Sequence, residues 1–175
     1  MRKILSFIFL ICFALSPVIL SAQPANDDCY NPIIIKDVKN WCSQVGEFTN
    51  VGATPSSYGK PNCFTNVSHD VWFAFTALAT DVVITITGKS SKNPGGTLLF
   101  PEAALYNGYC GGTIGELECI TDTKANSVIE MYQGGLFVGA TYLIRVDGRA
   151  TSEGTFQICI NNYNPPADPQ SDCSQ

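Results

Sequence analysis

The sequence predicts an all-β fold, an antiparallel, jelly-roll-like β-sandwich of seven to nine short strands that is stapled by disulfides. Short stretches in which apolar and polar residues alternate recur along the chain, and Gly-, Pro- and Asn-rich turn signals separate them. No stretch has a convincing helical period. Eight cysteines in 175 residues add the expectation of disulfides.

Residues 70–76 are the most strongly predicted strand, and we place it at the centre of the sandwich. Aromatic and β-branched residues suit a pleated, half-buried surface. In an extended chain its apolar residues divide between two faces. Val71, Phe73 and Phe75 share one face, and Trp72 and Ala74 share the other.

The remaining strands are predicted from the same alternation. Residues 98–106 are interrupted by Pro101, which indicates an edge position or a bulge there. In the last strand Phe156, Ile158 and Ile160 face one way, and Thr155, Gln157 and Cys159 face the other. The predicted strands other than 70–76 are 48–53, 82–87, 98–106, 117–120, 127–133, 142–146 and 154–161.

Residues 1–22 have the pattern of a secretory signal peptide. Two basic residues precede the apolar run 4–20, and small residues follow it just before Gln23. A membrane anchor is one alternative, and a lipoprotein that uses Cys12 is another. Cleavage would leave one exported sandwich domain at residues 23–163.

The exported portion is acidic. Without Arg2 and Lys3, 8 of the 10 basic residues remain against 15 acidic ones. This balance argues against nucleic acid and anionic membrane as partners. We expect no membrane insertion after cleavage of the signal peptide.

Seven cysteines remain after cleavage, and an odd number requires an explanation. Residues 164–175 offer an explanation for the odd cysteine. There a proline-rich linker leads to Asp172-Cys173, a dipeptide that also occurs at Asp28-Cys29. We interpret this as the start of a further, truncated domain. The alternative is a disordered tail with a free thiol at Cys173.

Six cysteines are therefore expected to pair within the domain, and their spacing favours two local links and one link across the sheet. No pair has the spacing of a metal site. The predicted disulfides are Cys29–Cys42, Cys110–Cys119 and Cys63–Cys159.

Short motifs occur along the chain in one order. They are PANDDC (24–29), GAT (52–54), PNC (61–63), DVWF (70–73), ALY (104–106), GYCG (108–111), Cys119, YLIRVDG (142–148) and GTF (154–156). With this set the chain resembles the disulfide-bonded sandwich domain of exported Bacteroidota surface proteins, and it is similar to the bacterial pre-peptidase C-terminal domain and, more remotely, to CUB-like jelly rolls. The resemblance implies tandem domains, type IX secretion and, in some members, gliding motility.

Catalytic patterns are weak. The single histidine, His69, lies between Ser68 and Asp70, and strand neighbours point to opposite faces, so they cannot build a triad. Glu116 and Glu118 are predicted on one strand face, as glycoside cleavage would require of two carboxylates, but this is more often a solvated edge. We therefore predict no enzyme and no catalytic residue.

No cofactor is expected. We consider calcium because the loops of a β-sandwich can bind this ion between carboxylates and carbonyls. The residues considered are Glu102, Asp122 and Asp147. The chain departs at Phe100 and after Cys119 from the acidic residues of similar sequences, so none of the three is assigned to a metal.

Three functions follow from the sequence and the resemblance. The first is a non-catalytic module at the N-terminus of a larger secreted cell-surface protein, serving adhesion or gliding motility. Its partners would be domains of the same chain and cell-surface or secretion-system proteins. The second is an accessory domain of an exported hydrolase. The third is a carbohydrate-binding module that contacts a glycan through Trp41, Tyr58, Tyr106 and Tyr109.

Overall fold

A computed structural model describes residues 23–165 of the chain. The predicted signal peptide at 1–22 and most of the predicted linker and further domain, from residue 166 onward, lie outside the described residues. Within them, ten strands and one short 3-10 turn, Arg149–Thr151, follow one another. The strands are β1 (Ile33–Ile35), β2 (Trp41–Cys42), β3 (Phe48–Thr49), β4 (Val71–Thr76), β5 (Asp81–Thr87), β6 (Pro101–Gly108), β7 (Ile114–Thr121), β8 (Val128–Gln133), β9 (Thr141–Gly148) and β10 (Thr155–Tyr163).

The strands form two sheets packed face to face, which confirms the predicted all-β sandwich. The first sheet has the order β1-β4-β9-β6-β7, and in the second β2 and β3 both pair with β10, which continues to β5 and β8. Pairing is antiparallel except between β1 and β4, which are parallel. The structure has ten strands over residues 23–165, one more than the upper limit predicted. The strands β1 and β2 have only three and two residues, and the sequence patterns of these segments are too short to predict a strand.

Strand β4 has the predicted alternation, but it lies one place from the edge of its sheet, between β1 and β9. Phe73 faces the main core between the sheets. Its ring centroid lies 4.8 Å from that of Phe48 and 6.0 Å from that of Phe156. Trp72 faces outward and is nevertheless fully buried. Both faces of β4 are therefore covered, and the outer face of the first sheet carries a second apolar cluster.

Strand β6 differs from the prediction at Pro101. This proline is the first residue of the strand, a position that requires no ladder N–H, and β6 lies inside the sheet between β9 and β7. The register shift lies further along, between Leu105 and Tyr106. The predicted edge or bulge at Pro101 is wrong.

The six predicted cysteines do form disulfides, but every predicted pair is wrong. The structure joins Cys29 to Cys110, Cys42 to Cys159 and Cys63 to Cys119. Cys42 and Cys159 are direct partners in the β2–β10 ladder, with Cα atoms 4.0 Å apart. The segments that carry Cys29 and Cys63 cross the outer face of the first sheet, so they reach the β6–β7 hairpin and β7 respectively. Sheet register and chain crossing, which spacing alone does not reveal, decide the pairing.

These disulfides close long loops, with sequence separations of 81, 117 and 56 residues. In the chain-entropy account, each disulfide of this loop length stabilises the folded state by about 4–5 kcal/mol, more than a disulfide across a short loop would.

The described residues contain no helix of the length and apolarity that crossing a membrane requires.

Candidate functional site

The outer face of the first sheet is covered by two stretches of chain, the N-terminal segment 24–32 and the loop 54–69. Asn26 fastens the first stretch to β4, because its backbone oxygen accepts from the Trp72 N–H at 2.8 Å and its side-chain amide donates to the Trp72 carbonyl at 2.9 Å. Phe64 fastens the second by packing into the outer apolar cluster. The two stretches seal Trp72 from solvent.

A row of buried carboxylates fixes the loop 54–69 to the sheet. Asp70 accepts the N–H of Ser56 at 2.8 Å. Asp147 accepts those of Ser68 at 2.8 Å and His69 at 3.2 Å. Burial raises the pKa of Asp147, although these backbone donors act in the opposite direction.

Glu102 continues this row and lies opposite Asp147 in the β6–β9 ladder. It accepts the Thr65 N–H at 3.2 Å and the Thr121 hydroxyl at 2.9 Å. Asp122 accepts the N–H groups of its own turn, including that of Ser127 at 2.8 Å. The three carboxylates considered for calcium thus accept hydrogen bonds from backbone N–H groups. Within residues 23–165 no three His, Cys, Asp or Glu side chains form a group that could bind a metal.

Arg145 lies in the same layer and is completely buried. Its Nε donates to Asp70 at 3.0 Å, and its Nη1 donates to the Gly59 carbonyl at 2.8 Å. Its guanidinium lies 5.1 Å from the ring centroid of Trp72. The sequence analysis did not single out Arg145, although a charged residue on the same strand face as Leu143 was the available signal.

His69 contacts Glu153 and Asp147 through its side chain and backbone respectively, and forms no triad with Ser68 and Asp70. Its Nε2 lies 2.9 Å from Glu153 Oε1, and its backbone N–H points to Asp147. Asp70 is engaged by Arg145. The histidine therefore ties the loop 54–69 to the turn after β9.

The two glutamates of β7 do not share a face, contrary to the prediction. The irregularity in the β6–β7 ladder places Glu116 opposite Tyr106 and Glu118 opposite Leu105. Tyr106 belongs to the outer cluster and Leu105 to the main core, so the two carboxylates lie on different sides of the sheet.

The four aromatic residues proposed as a glycan platform do not lie together. Trp41 is half-buried on the second sheet, while Tyr106 is buried in the outer cluster. Tyr58 is half-buried and packs on Trp72, with ring centroids 5.6 Å apart. Only Tyr109 of the four is well exposed, at 71%.

Tyr109 instead lines a groove together with a tyrosine that the sequence analysis missed. The Cys29–Cys110 disulfide holds two segments together, and the neighbouring residues Tyr30 and Tyr109 are exposed at 63% and 71%. They line a groove of about 320 Å³, which we call the tyrosine groove. The rest of its wall is mostly apolar and is formed by Cys29, Pro32, Ile34, Ala74, Gly108, Cys110, Thr141 and Leu143.

Two glycines and a third tyrosine position these rings. A Cβ on Gly112 would lie 2.5 Å from Tyr109 Cζ, and one on Gly111 would lie 3.0 Å from the Tyr30 ring. The Tyr58 hydroxyl accepts the Gly111 N–H at 2.6 Å. A hydrogen bond with Tyr58 also raises the pKa of Tyr30. Both exposed rings thus lie close against the hairpin backbone.

Comparisons with solved structures give low similarity. A family 6 carbohydrate-binding module aligns with a TM-score of 0.36 and 13% identity, covering 73% of this chain and 96% of that one. A cycloisomaltooligosaccharide glucanotransferase from Paenibacillus sp., complexed with cycloisomaltoheptaose, aligns with a TM-score of 0.29 and 11% identity, covering 77% of this chain and 20% of that one. No curated protein sequence shows significant similarity.

A family model gives a more extensive match. It is described as galactose binding domain-like, is associated with the type IX secretion system, and matches residues 25–160. The match spans both sheets and all three disulfides. The chain therefore belongs to the family of galactose-binding-domain-like domains associated with type IX secretion.

Proposed function

We propose that this domain is a non-catalytic, glycan-binding module of an exported protein, and that it serves adhesion or gliding motility at the cell surface. The observation that carries the proposal is the tyrosine groove, which is lined by Tyr30 and Tyr109, the neighbours in sequence of the disulfide-bonded Cys29 and Cys110. Family membership supports a carbohydrate ligand and an exported setting.

The chemistry of the groove suits a sugar ring. A pyranose has an apolar face of C–H groups, which packs on aromatic rings, and a rim of hydroxyls, which needs polar partners. Tyr30 and Tyr109 offer both, because each has an apolar ring and a polar hydroxyl. Pre-organised anchors reduce the ordering cost of binding, and here the disulfide fixes the backbone beside each tyrosine while Gly111 and Gly112 leave room for the two rings.

The non-catalytic part of the proposal rests on where the candidate residues lie. Hydrolysis needs a positioned acid and base or a metal-bound water. His69 is paired with Glu153, Asp70 with Arg145, and the two β7 glutamates lie on different sides of the sheet.

The test is a glycan array followed by calorimetry with Tyr30→Ala and Tyr109→Ala. Each substitution should weaken binding by about tenfold or more, as expected for a central aromatic contact. Tyr132→Ala is the matched control, since Tyr132 is an exposed tyrosine on the second sheet. No binding across the array, or equal losses in all three variants, would refute the proposal.

A subtler variant tests the ring positions. In Gly112→Ala the new methyl group would collide with the far end of the Tyr109 ring, which is exposed and can swing away. The fold should survive, because no backbone atom is among the near contacts of that methyl group. Binding should fall with little change in thermal stability, whereas unchanged binding would exclude the Tyr109 ring position from the site.

A further inference from the structure

A second concavity lies beside the tyrosine groove, between the edge strand β1 of the first sheet and the short strands β2 and β3 of the second. Its volume is about 350 Å³, close to that of the tyrosine groove. We call it the Trp41 groove. The lining residues that matter here are Ile34, Asp37, Trp41, Glu47 and Phe48.

The two grooves meet at Ile34. This side chain is 57% exposed and lines both of them. It is the middle residue of β1 and lies opposite Ala74 of β4, which also lines the tyrosine groove. A ligand that outgrows the tyrosine groove in this direction would therefore cross Ile34 and enter the Trp41 groove.

The Trp41 groove repeats the combination of aromatic and polar groups that suits a sugar residue. Trp41 is partly exposed and offers an apolar ring together with an indole N–H donor. The exposed carboxylates of Asp37 and Glu47 are hydrogen-bonded to nearby backbone N–H groups, those of Lys39 at 3.1 Å and Gln44 at 2.6 Å. Since a carboxylate has about four acceptor positions, both can still accept sugar hydroxyls.

The fold fixes the backbone that carries Trp41. This residue pairs with Ile160 in the β2–β10 ladder, and it directly precedes Cys42, which is bonded to Cys159. An aromatic residue beside a disulfide-bonded cysteine is also the arrangement of the tyrosine groove. A backbone that is ordered before binding lowers the ordering cost of the contact.

We propose that the ligand of this domain is an extended oligosaccharide, which occupies the tyrosine groove and continues over Ile34 into the Trp41 groove. This inference rests on the proposed glycan-binding function and adds to it a second subsite and a class of ligand. A disaccharide in the tyrosine groove would leave Trp41 uncovered, whereas a hexasaccharide would cover it. The longer chain binds more tightly because its second contact is made within a molecule that is already bound.

The test compares disaccharides with hexasaccharides of β-1,4-linked glucose, galactose, mannose and N-acetylglucosamine on the full chain. The chain has two tryptophans and Trp72 is fully buried, so quenching of tryptophan fluorescence by acrylamide reports on Trp41. We expect the hexasaccharide to bind about tenfold or more tightly than its disaccharide and to reduce the quenching several-fold. The disaccharide should bind without changing the quenching.

Three variants separate the two subsites. Trp41→Ala should lower the affinity for the hexasaccharide to that for the disaccharide and leave the latter unchanged, whereas Tyr109→Ala should weaken both. Tyr132→Ala is the matched control and should change neither, since Tyr132 is exposed on the second sheet. Trp41 packs partly against the main core, so the quenching measurement on the unsubstituted chain keeps the test decisive if Trp41→Ala fails to fold.

Two results would overturn the inference and leave the proposed function standing. One is equal affinity for the two lengths, and the other is tighter hexasaccharide binding without protection of Trp41 from acrylamide. Absence of binding by every hexasaccharide would also overturn the inference, and the glycan array then decides whether the proposed function falls with it.

Discussion

Arg145 and Asp70 form an ion pair in which both side chains are completely buried, with Nε 3.0 Å from Oδ2. The pair links β9 to the start of β4 and fixes the covering loop through the Gly59 carbonyl. Breaking such a pair leaves one uncompensated charge in the interior, which costs more than removing both charges together.

Asp70→Asn should therefore destabilise the domain by about 3–5 kcal/mol. The double variant Asp70→Asn with Arg145→Met should recover part of this loss, because Met fills a similar volume without a charge. Urea unfolding of the two variants and the wild type measures the difference. A double variant less stable than Asp70→Asn would contradict the account of an uncompensated arginine.

The disulfide pairing can be checked directly by non-reducing peptide mapping. We expect the peptides Cys29–Cys110, Cys42–Cys159 and Cys63–Cys119. Recovery of a Cys29–Cys42 peptide from correctly folded protein would disprove the structure of the N-terminal segment. It would also remove the disulfide that holds the tyrosine groove.

Phe73 and His69 should differ sharply in their contribution to stability. Phe73 is fully buried between the sheets, so Phe73→Ala should cost about 3–5 kcal/mol. His69 forms a partly exposed polar contact with Glu153, Nε2 to Oε1 at 2.9 Å, so His69→Ala should cost at most about 1 kcal/mol. Thermal unfolding of both variants gives the comparison, which would fail if His69→Ala proved the more damaging.

Asp147 should make stability depend on pH in a direction opposite to most carboxylates. Burial raises its pKa in the folded state, so the folded protein holds this proton at a pH where the unfolded chain, with a pKa of about 3.9, has lost it. Its contribution is greatest below that unfolded pKa and is lost as pH rises through the folded pKa. Relative to Asp147→Asn, the wild type should gain stability as pH falls from neutral toward about 4. Unfolding free energies at several pH values test this, and parallel pH profiles would contradict it.

Export should leave a defined N-terminus. The basic residues and apolar run of residues 1–22 predict cleavage before Gln23. N-terminal sequencing of protein recovered outside the cell should begin at or near Gln23. A retained Met1 would contradict the signal-peptide interpretation.

Features that depend on neighbouring residues were predictable from the sequence. The alternation correctly predicted that Phe73 shares a face of β4 with Phe75 and that Ile158 shares a face of β10 with Ile160, because side-chain direction in a strand follows from position alone. The structure buries both of these faces in the main core. The burial of Trp72 on the other face was not foreseen, since it depends on which distant segments cover the sheet.

The candidate site was only partly predictable for the same reason. Tyr109 was named, but its partner Tyr30 was not, because the Cys29–Cys110 disulfide that joins them spans 81 residues. The sequence did hold a local signal, in that each tyrosine is adjacent to its cysteine. The faces of Glu116 and Glu118 were mispredicted because a single register irregularity changes the side to which later residues point.

The pairing of the cysteines also sets the order in which disulfides can form when the chain is exposed progressively from its N-terminus. Each disulfide joins one of the early cysteines, Cys29, Cys42 or Cys63, to a late one, Cys110, Cys119 or Cys159. No native covalent link can form until the β6–β7 hairpin has appeared, and the last must wait for β10. A molecule cut short before Cys159 keeps an unpaired thiol at Cys42. Complete oxidation of these six cysteines therefore requires a chain that extends through β10.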